Sequence, residues 1–167
     1  MEVLVALGVL AVVMALAIPS FSNYLDRKRL EAAAAALYSD INHARMWSIK
    51  SNGKVYLTFT AGTSWCYGLS DSVTQCNCLA TNGCQISSQD FMTRSSDYKN
   101  ITVSTVMNGT TTTSGSIYNQ VDSRRGTPQN ATDIVLTNAN SESITVKLRA
   151  TGRVYLCSDS LTHYGSC

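Results

Sequence analysis

Histidine is scarce in this chain of 167 residues: only His43 and His163 carry an imidazole, and they stand far apart. Neither lies in a nucleophile motif, and no G-x-S-x-G turn, Walker-type glycine loop or metal-binding histidine pair occurs. The common hydrolase, nucleotide-dependent and histidine-metal chemistries therefore have no residues to work with, and neither catalysis nor a cofactor is expected. His43 is read as a helix-surface residue. Charge is scarce too, with 13 basic and 11 acidic side chains and a net charge of +2. That balance excludes a wholesale nucleic-acid footprint. Internal repeats and a linker long enough to separate domains are also missing, so the length fits one domain with an appendage. Cysteine is absent from the first 65 residues.

Polar residues are absent from Val3 to Ile18, sixteen apolar positions framed by Glu2 and Pro19. At 1.5 Å per residue such a helix is about 24 Å long, short of the ~20 residues and ~30 Å of a hydrocarbon core. Ala15-Leu16-Ala17 resembles a signal-peptide cleavage pattern, but the positive charge that should precede the apolar run is missing. A buried core helix would show a polar outer face, and this run has none. The expectation is a membrane helix over residues 1–24 that begins on a carboxylate. An ionisable group there is costly without a partner, so Glu2 is a candidate functional residue. Pro19 removes a backbone hydrogen bond and predicts a kink near the membrane exit.

Residues 25–167 form the globular part, about 140 residues that bury roughly two thirds of their unfolded surface. A helix over 25–51 is predicted, with Leu30, Ala33, Leu37, Ile41, Ala44 and Ser48 in one stripe. Asp26, Arg27, Lys28, Arg29 and Glu31 read as a solvated interfacial collar, and Asn52-Gly53 as the helix stop. Arg45 is expected to pair with Asp40 or Glu142, the alternative being an exposed contact. Seven or eight short strands are predicted over 54–167. Val55, Leu57 and Phe59 alternate with polar neighbours, and Trp65, Tyr67 and Leu69 alternate with Cys66, Gly68 and Ser70, so each strand has one apolar and one wet face. Further strands are read near 85–87, 101–105, 117–121, 134–136, 143–149 and 154–157. The stretch 108–115 reads as a hairpin tip or a mobile loop, and Asp122 to Thr132, with Arg124-Arg125-Gly126, as an exposed loop. A long helix followed by runs of strands gives an α+β class with mainly antiparallel sheet.

Six cysteines at 66, 76, 78, 84, 157 and 167 read as disulfides formed in an oxidising compartment. Cys157 and Cys167 are expected to pair and tie the C-terminus to the last strand. Cys66, Cys76, Cys78 and Cys84 are expected to pair among themselves, with connectivity open. A zinc site using Cys76, Cys78, Cys84 and His163 is the alternative, but Cys76 and Cys78 are one residue too close for the usual ligand spacing.

Glu2, the apolar run and Ile18-Pro19-Ser20-Phe21 together resemble the N-terminal segment of type IV pilins and type II secretion pseudopilins. Leu37, Asp40, Ile41, Ala44-Arg45, Ile49 and Val55 are similar to the GspH/FimT/FimU minor pilin branch. So are Trp65-Cys66-Tyr67-Gly68-Leu69 and Thr151-Gly152-Arg153-Val154 with Cys157. The resemblance implies a type IV pilin fold, in which a long N-terminal helix packs on an antiparallel sheet. It implies a leader and a few mature residues ahead of Met1, removal of that leader by prepilin peptidase, and N-methylation. It also implies a single pass through the bacterial inner membrane, a periplasmic domain, and partners among other minor and major pilins. In such an assembly Glu2 would meet a neighbouring subunit's amine. The function implied is a minor pilin that primes or joins type IV pilus assembly near the tip, or a minor pseudopilin of type II secretion.

Some members of the branch serve DNA uptake in natural transformation and carry Gly-Arg-x-Arg near the C-terminus. Here the run is Gly152-Arg153-Val154-Tyr155, with tyrosine at the second arginine. Lys147, Arg149 and Arg153 are the possible DNA contacts, with Tyr155 available to stack. Residues 120–167 hold five basic and four acidic side chains, which leaves a weak local excess.

Overall fold

The structure is a computed structural model. It describes residues 2–167, with side chains described everywhere except positions 2, 4, 9 and 11–20. Among the described residues there are one helix and eleven strands in the order α1 (Glu2–Ser51), β1 (Val55–Ala61), β2 (Cys66–Ser70), β3 (Gln85–Ile86), β4 (Gln89–Asp90), β5 (Met92–Arg94), β6 (Ile101–Met107), β7 (Thr110–Thr112), β8 (Gly115–Val121), β9 (Thr132–Asn138), β10 (Ser143–Leu148) and β11 (Val154–Cys157). The α+β class stands.

The amphipathic half of α1 is seated by its stripe. Leu30, Ala33, Ala34, Leu37, Ile41, Ala44 and Ser48 are each at most 2% exposed. Three alanines in that stripe let the helix approach the sheets closely, because a methyl group is the only side chain standing between backbone and strand. The helix stops where the sequence says: Asn52 takes φ 49°, and the Gly53 amide donates to the Ser48 carbonyl at 3.2 Å. This is the left-handed cap that asparagine tolerates.

Two antiparallel sheets receive the helix, one in the order β5-β2-β1-β8 and the other β11-β10-β9-β6-β7. A bridge between Gly62 and Val103 stitches them, the amides donating to the opposite carbonyls at 2.8 and 3.2 Å. The inward residues Leu57, Phe59, Leu69, Ile134, Leu136, Ile144, Val146 and Leu148 share one core with the helix stripe. Trp65 closes it, fully buried, with its indole N–H donating to the Ile101 carbonyl at 2.9 Å.

The expected wet face of β2 is not wet. All five residues Cys66–Ser70 are buried, because a disulfide-bonded loop lies across the face opposite the core. Cys66 bonds Cys78 and Cys76 bonds Cys84, an interleaved pair. A Cβ on Gly68 would lie 2.6 Å from the Cys84 Cβ, so only glycine allows this approach. Thr58 on β1 faces the same way and accepts the Cys76 amide at 3.1 Å. Arg94 clamps the loop by donating to the carbonyls of Cys78 and Ala80 at 2.9 and 3.0 Å. Cys157 bonds Cys167. No cysteine is free, which removes the zinc alternative.

Two further differences from the sequence reading concern small strands. β4, β5 and β7 are two or three residues long, too short for alternation to mark. The segment 108–115 thus contains β7 as well as a turn.

Candidate functional site

The apolar run projects beyond the sheets. Val3, Val5, Leu7 and Leu10 are 50–72% exposed, and α1 continues through Pro19 as helix. The side chains of Glu2 and Pro19, expected to serve assembly, lie outside the described residues. Among the described residues no helix is long and apolar enough to cross a membrane. Most side chains of the expected span over residues 1–24, those of positions 11–20 among them, lie outside the described residues.

At the foot of the domain the charged collar is docked to the domain and not merely solvated. Asp26 is only 6% exposed and accepts from Arg29 at 2.8 Å and from Asn100, at the start of β6, at 3.2 Å. Arg27 ion-pairs with Glu142 on the β9–β10 turn. This bond to Arg27 holds the Glu142 carboxyl below its ordinary value, helped by the Asn138 side chain. Glu31 takes Lys28 at 2.7 Å and His163 of the C-terminal segment at 3.3 Å. These contacts fix the direction in which the apolar helix leaves the sheets. Lys28–Glu31 and Arg29–Asp26 are i,i+3 pairs, but Arg27–Glu142 is separated by 115 residues and Glu31–His163 by still more, and no local pattern announces those two.

Arg45 does not pair with Asp40 or Glu142. Its Nε donates to the Gly126 carbonyl at 2.9 Å. Glu142 is taken by Arg27, and Asp40 accepts the Tyr67 hydroxyl at 2.8 Å. Burial raises the Asp40 carboxyl above its ordinary value, with that hydrogen bond opposing the shift. His43 also departs from expectation. It is half-buried, its ring stacked on Phe91 at 4.9 Å between centroids, because the segment carrying β4 and β5 folds over that side of the helix.

The three cations singled out for DNA do share a face. In the β9–β10–β11 register Lys147 lies opposite Asp133 and Tyr155, and Arg149 lies opposite Arg153. Their availability differs. Lys147 is 9% exposed, donates to the Cys167 carbonyl at 2.9 Å and lies 3.9 Å from Asp133. Arg149 lies 3.4 Å from Asp133 and donates to the Tyr155 hydroxyl at 3.2 and 3.1 Å. The Tyr155 ring has both Arg149 and Arg153 over it, at 5.7 and 5.8 Å. Of the three cations only Arg153 is open to solvent without a hydrogen-bond or ion-pair partner.

Two concavities are built from polar residues. One of about 550 Å³ lies between Asn23, Tyr24, Arg27, Asn140 and Glu142 at the foot. The other, about 480 Å³, is lined by Gln120, Asp122, Arg124, Arg125, Thr127, Pro128 and Gln129 at the opposite end. Among the described residues no group of three His, Cys, Asp or Glu could hold a metal ion. Among the described residues the arrangement presents surfaces.

No curated protein and no solved structure matches the chain significantly. The family model described as type II transport protein GspH matches residues 33–152, from the buried helix stripe to the turn between β10 and β11. The chain belongs to the GspH family of pilin-like proteins.

Proposed function

We propose that this chain is a minor pilin that primes or joins type IV pilus assembly near the tip through its N-terminal helix, anchored in the inner membrane with a periplasmic domain. The observation that carries this reading is the division of α1. Its second half is buried by a stripe and pinned by Asp26, Arg27 and Glu31, while its first half holds solvent-exposed valines and leucines beyond the sheets. Exposed aliphatic helix calls for a bilayer or for other helices, and a subunit that moves from one to the other meets both. Glu2 would be costly in either place without a cation from a neighbouring subunit, which makes it a register device.

The minor pseudopilin of type II secretion is the second reading, favoured by the description of the matching family. A DNA-uptake receptor has less support, because Asp133 and the Cys167 carbonyl engage Lys147 and Arg149.

Mass spectrometry of the native N-terminus tests the shared basis of both assembly readings. An N-methylated residue ahead of Glu2 is expected. Cleavage after Ala17 would make the segment a signal peptide and remove the proposal.

A further inference from the structure

The chain has eight arginines. Arg27, Arg29, Arg45, Arg94 and Arg149 each donate to a carboxylate, carbonyl or hydroxyl within the subunit. The remaining three, Arg124, Arg125 and Arg153, are exposed, and none of their guanidinium groups has a hydrogen-bond or ion-pair partner among the described residues. All three stand at the end of the domain farthest from the apolar run.

Two loops meet there, and their meeting is fixed. Arg45 donates to the Gly126 carbonyl at 2.9 Å. A Cβ on Gly152 would lie 2.9 Å from Arg45 Nη2 and 3.0 Å from that same carbonyl. A Cβ on Gly126 would lie 2.9 Å from Ile49 Cδ1. Both glycines have positive φ, 61° and 81°, so the loop carrying Arg124 and Arg125 is locked against the turn carrying Arg153. Asp122 fixes the first loop further, its Oδ1 accepting the amides of Arg124 and Arg125 at 2.9 and 3.2 Å. The backbone is held while the two guanidinium groups stay free, and they flank the concavity of about 480 Å³. Lys50, in the last turn of α1, and Lys54, just before β1, are exposed at the same end.

We infer that this end is a docking site for an acidic protein segment, whose carboxylates pair with Arg124, Arg125 and Arg153. Rigidly presented, unpaired guanidinium forks fit bidentate carboxylate recognition. A nucleic acid fits less well. The concavity has the Asp122 carboxylate in its lining, and Arg149 and Arg153 already lie against the Tyr155 ring at 5.7 and 5.8 Å, so a base stacking there competes with two cations. The site stands on these loops alone and does not depend on the pilus-assembly reading.

The test uses the full chain in detergent micelles and a capped oligoglutamate peptide as probe, followed by NMR shift perturbation at low and raised salt. Salt-sensitive binding is expected, with shifts confined to residues 120–129 and 150–154. Arg124→Gln with Arg125→Gln is expected to weaken it by about tenfold or more. The double lysine variant should fall between, because it keeps charge and loses the fork. Lys99→Gln, beside Asn100 at the other end, should leave binding unchanged. No binding by the wild type, equal binding by the glutamine variant, or tighter binding of a duplex oligonucleotide to the same residues would each overturn the inference.

Discussion

Gly109 and Gly152 have nearly the same backbone, φ 80° and 81°, in different surroundings. A Cβ on Gly109 meets nothing within 4 Å, whereas on Gly152 it meets Arg45 and the Gly126 carbonyl. Alanine at either site carries the left-handed penalty of about 1 kcal/mol or more. At Gly152 the crowding adds to it, so Gly152→Ala should cost about 1–2 kcal/mol beyond Gly109→Ala in denaturant unfolding. Equal losses would mean that the two loops are not locked through Arg45. Asp40 gives a second test, by pH. Burial raises its carboxyl above the ordinary 3.8, so on a pH rise the unfolded chain ionises first and the folded state loses relative stability. Asp40→Asn, which keeps an oxygen for the Tyr67 hydroxyl, should therefore match the wild type below pH 3.8, become progressively the more stable protein as pH rises from there to the raised folded value, and keep a constant advantage above it. Melting temperature against pH checks this, and a variant that is less stable near neutrality would contradict it.

The helix stripe from Leu30 to Ser48 could be read in the sequence because its period of three and four residues is local and its partner is a broad apolar surface. Ala34 and Ala35 test how closely it is seated. Ala34 is fully buried and its neighbour is exposed, so Ala34→Leu should cost about 1–3 kcal/mol through overpacking and Ala35→Leu should be nearly neutral. Comparable unfolding midpoints for the two variants would place the sheets farther from the helix than described. Strands whose inner face meets the core, such as β1, β9 and β10, were legible by alternation. The burial of Cys66 and Ser70 was not, because their cover is a loop held by disulfides whose pairing no spacing specifies. The partner of Arg45 was not legible for a related reason. It is a carbonyl 81 residues away, and a sequence marks carboxylates but not carbonyls. The run Arg124-Arg125 was legible as an exposed loop and Ala150-Thr151-Gly152 as a turn, whereas their meeting across space was not. The Cys157–Cys167 pair was legible because it ties the C-terminus to the last strand. Breaking that pair with Cys157→Ser and Cys167→Ser should cost about 3 kcal/mol in the chain-entropy account. The C-terminal segment, with its contact from Lys147 to the Cys167 carbonyl and from His163 to Glu31, should then become protease-sensitive; an unchanged digestion pattern would contradict this.

The whole molecule is a helix with two unlike halves attached to a disulfide-bonded sheet domain, and membership of the GspH family places it among proteins of pilin type. The domain has its own core and its own cross-links. The ion pairs and hydrogen bonds of Asp26, Arg27 and Glu31 then fix how the first half of α1 leaves the domain. This separation makes the central claim, assembly through the N-terminal helix, testable without disturbing the fold. Glu2→Val removes the only charge ahead of Arg27 other than Asp26 and leaves every described contact of the domain in place. The direct measurement is the fraction of the variant recovered in sheared, purified fibres relative to the wild type, with the unfolding transition of the domain recorded alongside. The account predicts an unchanged transition and a loss of incorporation by about tenfold or more, the scale of an unpaired buried charge. Wild-type incorporation of a folded Glu2→Val protein would contradict it.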